Sequence, residues 1–306
     1  MIALTQTFHQ PITKTSLKEI VRKNVSLVNY TSLKIGGPAA YFAEPRTLDE
    51  LHAVLSQAEG SRLPWVVLGN GTNTLFPDEG YRGVVIHLGR NFGAMHFEDE
   101  LLVTQTGAGL GAAMGYARVK GFHDFDGLVG IPAAIGGALY MNAGVPEFSI
   151  SELVRNVTVL TKAGQLIRLE PDECEFGYRK SIFQKRGWII VGAEFRLGRE
   201  RRFDPEELLR RRRERQPVQL PSPGCVFKNP TAGFGAGQLI DSCGLKGLRS
   251  GDAMISPLHA NFIVNLGAAK AADVLRLIDF AKERVYKEFS VELQLELAVV
   301  SNASLW

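Results

Sequence analysis

Residues 127–144 constrain this chain more than any other stretch: Gly127-Leu-Val-Gly-Ile-Pro-Ala-Ala-Ile-Gly-Gly-Ala-Leu-Tyr-Met-Asn-Ala-Gly144. Five of the 18 positions are glycine and four are alanine. Side chains this small cannot fill a core, so another body must press against the bare main chain. That body is either a flat bound molecule or a closely packed strand. A small-residue packing seam is the plainer of the two readings.

The remainder is ordinary globular material, 306 residues with 45% hydrophobic and 22% charged, enough for about two domains. A formal net charge of +3 suits acidic small molecules and is too weak to argue for nucleic acid. Cys174, Cys225 and Cys243 form no C-x-x-C pair and no metal spacing, so no metal is expected and a reducing compartment is. The opening MIALTQTFHQPITKT lacks the basic start and apolar run of a signal peptide. No stretch approaches the roughly 20 uncharged apolar residues of a membrane helix. A cytoplasmic protein without membrane insertion is expected, and nothing points to an obligatory protein partner.

Thr47-Leu-Asp-Glu50 reads as a capping box opening a helix with Leu51, Val54, Leu55 and Ala58 on one face. Trp65–Leu68 and Val84–Leu88 read as buried strands, so the first third is a small α/β unit. Beyond it, Leu101–Thr106 reads as a strand, 112–120 as a helix, Val157–Thr161 with Leu166–Leu169 as a hairpin, and Trp188–Leu197 as a strand. A boundary falls near Gly198. Asp204-Pro205-Glu206-Glu207 then starts a helix bearing Arg210, Arg211, Arg212, Arg213 and Arg215. Val274, Leu277, Ile278, Ala281 and Val285 mark a long amphipathic helix near the end.

Several segments carry possible chemistry. Leu68-Gly-Asn-Gly-Thr-Asn-Thr-Leu75 runs from a strand into a loop with two glycines and three small polar residues. It is either a tight connection or an anion nest for a pyrophosphate. Gly107-Ala-Gly109-Leu-Gly111 lacks the dinucleotide fingerprint and reads as a strand-to-helix turn. Eight arginines within 199–215 face five acids, which suits a solvated face; one or two of the arginines are alternatively a diphosphate clamp. Cys225 sits just after a Pro-Gly turn and before Lys228 and Asn229, and spacing alone does not tell a reactive thiol from a packed one.

Together these segments resemble the UDP-N-acetylenolpyruvoylglucosamine reductase family from about Val28 to Glu296. The resemblance rests on Tyr30-Thr-Ser-Leu-Lys-Ile-Gly-Gly37, the 68–75 loop, Gly130-Ile-Pro132, Ile135-Gly-Gly-Ala138, Met141-Asn-Ala-Gly144, Phe176-Gly-Tyr-Arg-Lys-Ser181, Cys225-Val-Phe-Lys-Asn-Pro230 and Ser256-Pro-Leu-His-Ala-Asn-Phe262. It implies an α+β protein with an FAD-binding domain of the vanillyl-alcohol-oxidase (PCMH) type over 1–198, in two α/β halves of about 1–90 and 91–198. A C-terminal α+β substrate-binding domain spans 199–306, its last residues returning to the flavin domain.

The resemblance also implies the chemistry. NADPH reduces non-covalently bound FAD, and a UDP-sugar, UDP-N-acetylglucosamine-enolpyruvate, then takes hydride at its β-carbon and a proton at its α-carbon, a step in peptidoglycan synthesis. Another flavin oxidoreductase of the same cofactor fold is the alternative. The residues carried over for FAD are Gly69, Asn70, Gly71, Thr72, Asn73, Gly130, Ile131, Pro132, Ala134 and Gly136. Arg179 and Glu296 stabilise the intermediate and Cys225 donates the proton. Tyr178, Lys228, Asn229 and His259 hold substrate, with Gln216 and an arginine of 210–215, Arg213 being the one carried over, reaching its diphosphate. The family commonly has serine where Cys225 stands. With its unperturbed pKa of about 8.5 the thiol is mostly protonated at neutral pH, and activity is expected to fall as it ionises at high pH. The 46 positions from Arg179 to Cys225 mark the compact form, without the tyrosine loop that covers substrate in longer members.

Overall fold

The computed structural model describes residues 17–230 and 233–302. The N-terminal stretch read for targeting, and tail residues 303–306, lie outside the described residues. After a short helix, α1 (Leu17–Ile20), come β1 (Val21–Ser26), β2 (Pro38–Ala43), α2 (Leu48–Gly60), β3 (Trp65–Leu68), β4 (Thr74–Leu75) and β5 (Tyr81–His87). Four of these strands form a sheet in the order β1-β2-β5-β3, with β5 parallel to both neighbours. Thr47 caps α2 by accepting from the Glu50 amide at 3.2 Å. The Glu50 carboxylate accepts from the Arg46 backbone amide at 2.7 Å and pairs with the Arg46 guanidinium, so the returning half of the box lands one residue earlier than expected. On β3 only Leu68 is buried, because β3 is a sheet edge rather than a central strand.

A second sheet is antiparallel throughout, in the order β11-β10-β12-β7-β6. It comprises β6 (Met95–Glu98), β7 (Leu101–Gln105), β10 (Val154–Leu160), β11 (Leu166–Leu169) and β12 (Ile189–Arg196). Between β7 and β10 lie α3 (Leu110–Val119), α4 (Ile135–Tyr140) and a two-rung ribbon of β8 (Gly144–Val145) and β9 (Phe148–Ser149). The short helix α5 (Phe183–Arg186) precedes β12. The glycine–alanine segment supplies Leu128, Ile135, Ala138 and Leu139 to a core shared with Val157, Ala193 and Phe195. Its small residues thus lie over the second sheet, whose Leu160, Ile189 and Val191 share a further core with Leu51 and Val54 of α2 and Val84 and Ile86 of β5.

The remaining chain holds α6 (Pro205–Arg215), α7 (Ala236–Ser242), β13 (Arg249–Ser250), β14 (Ala253–Ile255), β15 (Ile263–Asn265), α8 (Ala271–Phe289) and β16 (Ala298–Val299). Helix α8 buries Val274, Leu277, Ile278, Ala281 and Val285, the stripe its spacing predicts. The chain then returns, β16 pairing in parallel with β4 of the first domain. A second tie runs the other way: the Asp78 carboxylate accepts from the Ala271 and Ala272 amides at 2.8 and 3.1 Å, capping α8 from the loop between β4 and β5. Asp78→Ala is expected to cost about 1 kcal/mol, the usual worth of a cap. An unchanged urea midpoint would show that α8 docks without it.

Candidate active site

The two segments expected to hold FAD meet in space. Asn70 donates from Nδ2 to the Pro132 carbonyl oxygen at 3.1 Å, joining the 68–75 loop to the 130–136 segment. Gly71 has φ +62°, and a Cβ there would lie 1.9 Å from the Tyr30 carbonyl oxygen, so no other residue fits without moving the 30–37 motif. Gly130, at φ +78°, lies under the Arg212 side chain, where a Cβ would come within 2.8 Å of Cδ. Ala134 is buried, Ile131 half-buried, and Gly136 donates its amide to the Thr106 carbonyl oxygen at 2.9 Å. Thr72 is half-buried beside Asn73, whose Nδ2 is bound to the Glu296 carbonyl oxygen at 2.9 Å. The Asn73 Oδ1 is buried with no partner among the described residues, an acceptor that a bound ring N–H would satisfy.

Beside Gly69 and Asn70 opens a cleft of about 510 Å³, lined among others by Tyr30, Lys34, Glu44, His87 and Arg90. Glu44 organises its wall, pairing with Arg22 at 2.6 Å and His87 at 3.0 Å, while Arg22 also reaches the Tyr30 hydroxyl at 2.9 Å. Bare main chain, an orphan acceptor and a polar cleft fit a dinucleotide such as FAD. Glu44, His87 and Arg90 carried no local signal; the topology alone brings them beside the loop.

Arg179 stands at the corner of a two-residue turn closed by paired bonds between Gly177 and Lys180 at 3.0 and 3.1 Å. Its φ of +51° is left-handed, a region usual for Gly or Asn at this turn position and costing an arginine roughly 1–2 kcal/mol. Such strain persists only where the surroundings hold it, and it gathers at functional sites. The turn aims the Arg179 Nε at Glu296 Oε1, 2.7 Å away, with both terminal nitrogens 3.5 Å from the Gly144 carbonyl oxygen. Glu296 is fixed through its main chain, its amide on the Val226 carbonyl oxygen at 2.8 Å and its carbonyl on Asn73. Burial raises the Glu296 carboxyl above the usual range against the opposing pull of Arg179 and then Lys228.

Cys225 lies close enough to this pair for both charges to act on its thiol, on the strand-like segment that bridges to Phe262. Burial, then the negative charge of Glu296, pushes its thiol from 9.0 up to about 12, while Arg179, Arg212 and a hydrogen bond from Asn261 pull the other way. That shift opposes the high-pH loss of activity expected from an unperturbed thiol. Substrate-driven turnover should show no thiol limb between about pH 7 and 10. A fall centred near 8.5 that Cys225→Ser abolishes would restore the unshifted value.

The arginine that α6 turns inward is Arg212, not Arg213. Arg212 follows Leu208 and Leu209 on the helix's core-facing side at the i+3 and i+4 spacing, whereas Arg213 is exposed. Its Nη1 is 3.5 Å from the Gly130 carbonyl oxygen, no carboxylate among the described residues pairs with it, and burial lowers its pKa. Gln216 ends the helix, its amide on the Arg212 carbonyl oxygen. Tyr178 and Asn229 face each other across the domains, the Asn229 amide donating to the Tyr178 hydroxyl at 3.2 Å, and the Asn229 side chain caps α7. Lys228 is half-buried near Glu296.

His259 is also corrected. Its Nδ1 accepts from the Asn261 amide at 3.2 Å, its ring lies on Phe262 and under the α7 backbone at Gly237, and burial lowers its pKa. These contacts hold the ring in the packing beneath α7. The motif residue that reaches the thiol is Asn261, which also brackets Phe227 with bonds of 2.9 and 2.8 Å.

A model of the FAD binding domain matches residues 39–170. A catalytic-looking arginine, carboxylate and thiol set against such a domain make the protein a flavin oxidoreductase. A second model, the C-terminal domain of UDP-N-acetylenolpyruvoylglucosamine reductase, matches residues 216–300. The reductase of Heliobacterium modesticaldum is 41% identical over 278 residues, 90% of this chain and 88% of its own. That of Clostridium novyi is 36% identical over 94% of each chain. The crystal structure of the enzyme from Thermus caldophilus aligns with a TM-score of 0.75 at 40% identity, covering 90% of this chain and 98% of that one. The chain belongs to the UDP-N-acetylenolpyruvoylglucosamine reductase family.

Proposed function

We propose that this protein reduces UDP-N-acetylglucosamine-enolpyruvate to UDP-N-acetylmuramate with NADPH, in the cytoplasm, as a step of peptidoglycan synthesis. The observation that carries the reading is the half-buried Arg179–Glu296 pair with the Cys225 thiol close enough to feel both charges. Bound FAD supplies the hydride carrier between NADPH and the substrate's β-carbon. Hydride arriving there pushes negative charge onto the α-carbon and its carboxylate. The Arg179 guanidinium, held in place by Glu296, offers its outer nitrogens to that charge. Cys225 then gives its proton to the α-carbon, which completes the C–H bond and leaves a thiolate facing Arg179 and Arg212 until water returns the proton. Tyr178, Asn229, Lys228 and the unpaired Arg212 are the groups from which the UDP-sugar's grip is drawn.

The test is anaerobic: NADPH should bleach the flavin band, and the enolpyruvyl substrate should restore it. Failure of that restoration would remove the assigned substrate. The cofactor should also be non-covalent, since no tether among the described residues is needed to hold it in the loops. Acid precipitation should therefore carry the yellow colour into the supernatant; colour kept in the pellet would contradict this.

A further inference from the structure

The turn bearing Arg179 is not held by its own two hydrogen bonds alone. Gln184, in α5, donates from Nε2 to the Arg179 carbonyl oxygen at 3.2 Å and to the Tyr140 carbonyl oxygen at 2.9 Å. Ser181, fully buried, donates to the same Tyr140 oxygen at 2.7 Å. On the other arm, Asn142 donates from Nδ2 to the Gly177 carbonyl oxygen at 3.1 Å. Of the three, Gln184 is the one that touches the main chain of Arg179. Its nearer acceptors are two carbonyls, one on the strained residue and one at the end of α4, whose entry segment is the proposed flavin contact, with the Met141 Sδ more distant at 3.5 Å.

A left-handed arginine relaxes towards ordinary φ unless its peptide is fixed. Relaxation reorients the Cα–Cβ bond and sweeps the guanidinium away from Glu296, and a misplacement of about 1 Å can cost up to about 100-fold in rate. We propose that Gln184 is a positioning residue: it holds the Arg179 peptide in the left-handed conformation and references it to the C-terminal end of α4. The inference rests on the function proposed above, in which Arg179 acts on substrate and has no task in flavin reduction by NADPH.

Gln184→Met keeps the length of the side chain and removes both donors. The variant should retain the wild-type flavin absorption spectrum and its rate of bleaching by NADPH, while substrate-driven reoxidation falls by about 10- to 100-fold. In an Arg179→Ala background the same substitution should cost nothing more, because no guanidinium remains to be placed. Gln184→Asn, one methylene short of the Arg179 carbonyl, gives the same separation in milder form should the Met variant lose its flavin. The proposal is overturned by wild-type reoxidation in both Gln184 variants, by equal slowing of both half-reactions, or by an undiminished cost in the Arg179→Ala background. Wild-type protein that the enolpyruvyl substrate does not reoxidise would overturn the parent reading instead.

Discussion

Arg179→Lys and Glu296→Gln each slow substrate-driven flavin reoxidation by about 10²–10³, the usual loss when one preorganised donor to developing charge is removed. Flavin reduction by NADPH stays near the wild-type rate in both. The two substitutions act differently. A lysine ammonium is a single point, whereas the guanidinium uses Nε on Glu296 and keeps two further nitrogens for the substrate. Glutamine keeps the size of Glu296 and an acceptor for Nε, but removes the charge that balances a half-buried cation. Stopped-flow traces of the two half-reactions separate the cases; equal slowing of both would remove the assigned roles.

Cys225→Ala should lose about 10²–10⁴ in the same half-reaction, the range of a general acid's contribution. In that variant NADPH still bleaches the flavin and substrate fails to restore it at a useful rate. Cys225→Ser should retain substantial activity, because the pocket that keeps a thiol neutral also keeps a hydroxyl, and the Asn261 and arginine neighbours that face the sulfur remain to face an oxygen. The thiol's advantage is its intrinsic acidity, and here much of that advantage is surrendered to burial. An alanine variant that turns over normally would reduce Cys225 to a packing residue and leave the proton without a donor.

The elements with strong periodicity were legible in the sequence: α2, α8 and the 157–169 hairpin lie where apolar spacing and turn residues put them. The segments proposed to hold the flavin were legible as bare main chain, but not that Asn70 would join them, since a bond across 62 positions leaves no local trace. Arg213 and Arg212 are neighbours in an arginine run, and composition does not separate them. The inward stripe does, because Leu208 and Leu209 stand one turn before Arg212. His259 and Asn261 share one motif, and only the packing of the ring beneath α7 decides which of them meets the thiol. The strain at Arg179 had no sequence signature at all: nothing in Tyr-Arg-Lys-Ser announces a left-handed arginine.

The return of the chain to β4 has a consequence for how the protein comes into being. Glu296 is bonded to Asn73 across 223 positions and to Arg179 across 117. During synthesis both sheets and the flavin loops leave the ribosome before the residue that completes the reactive pair has been made. Contacts this distant in the chain form late, after the local ones are in place. A nascent or half-folded copy can thus present the loops for the cofactor while having no means of handling an enolpyruvyl group. Trimming by a protease just before Glu296 would have the same effect: it would remove the carboxylate that pairs with Arg179, together with β16, and leave both sheets standing.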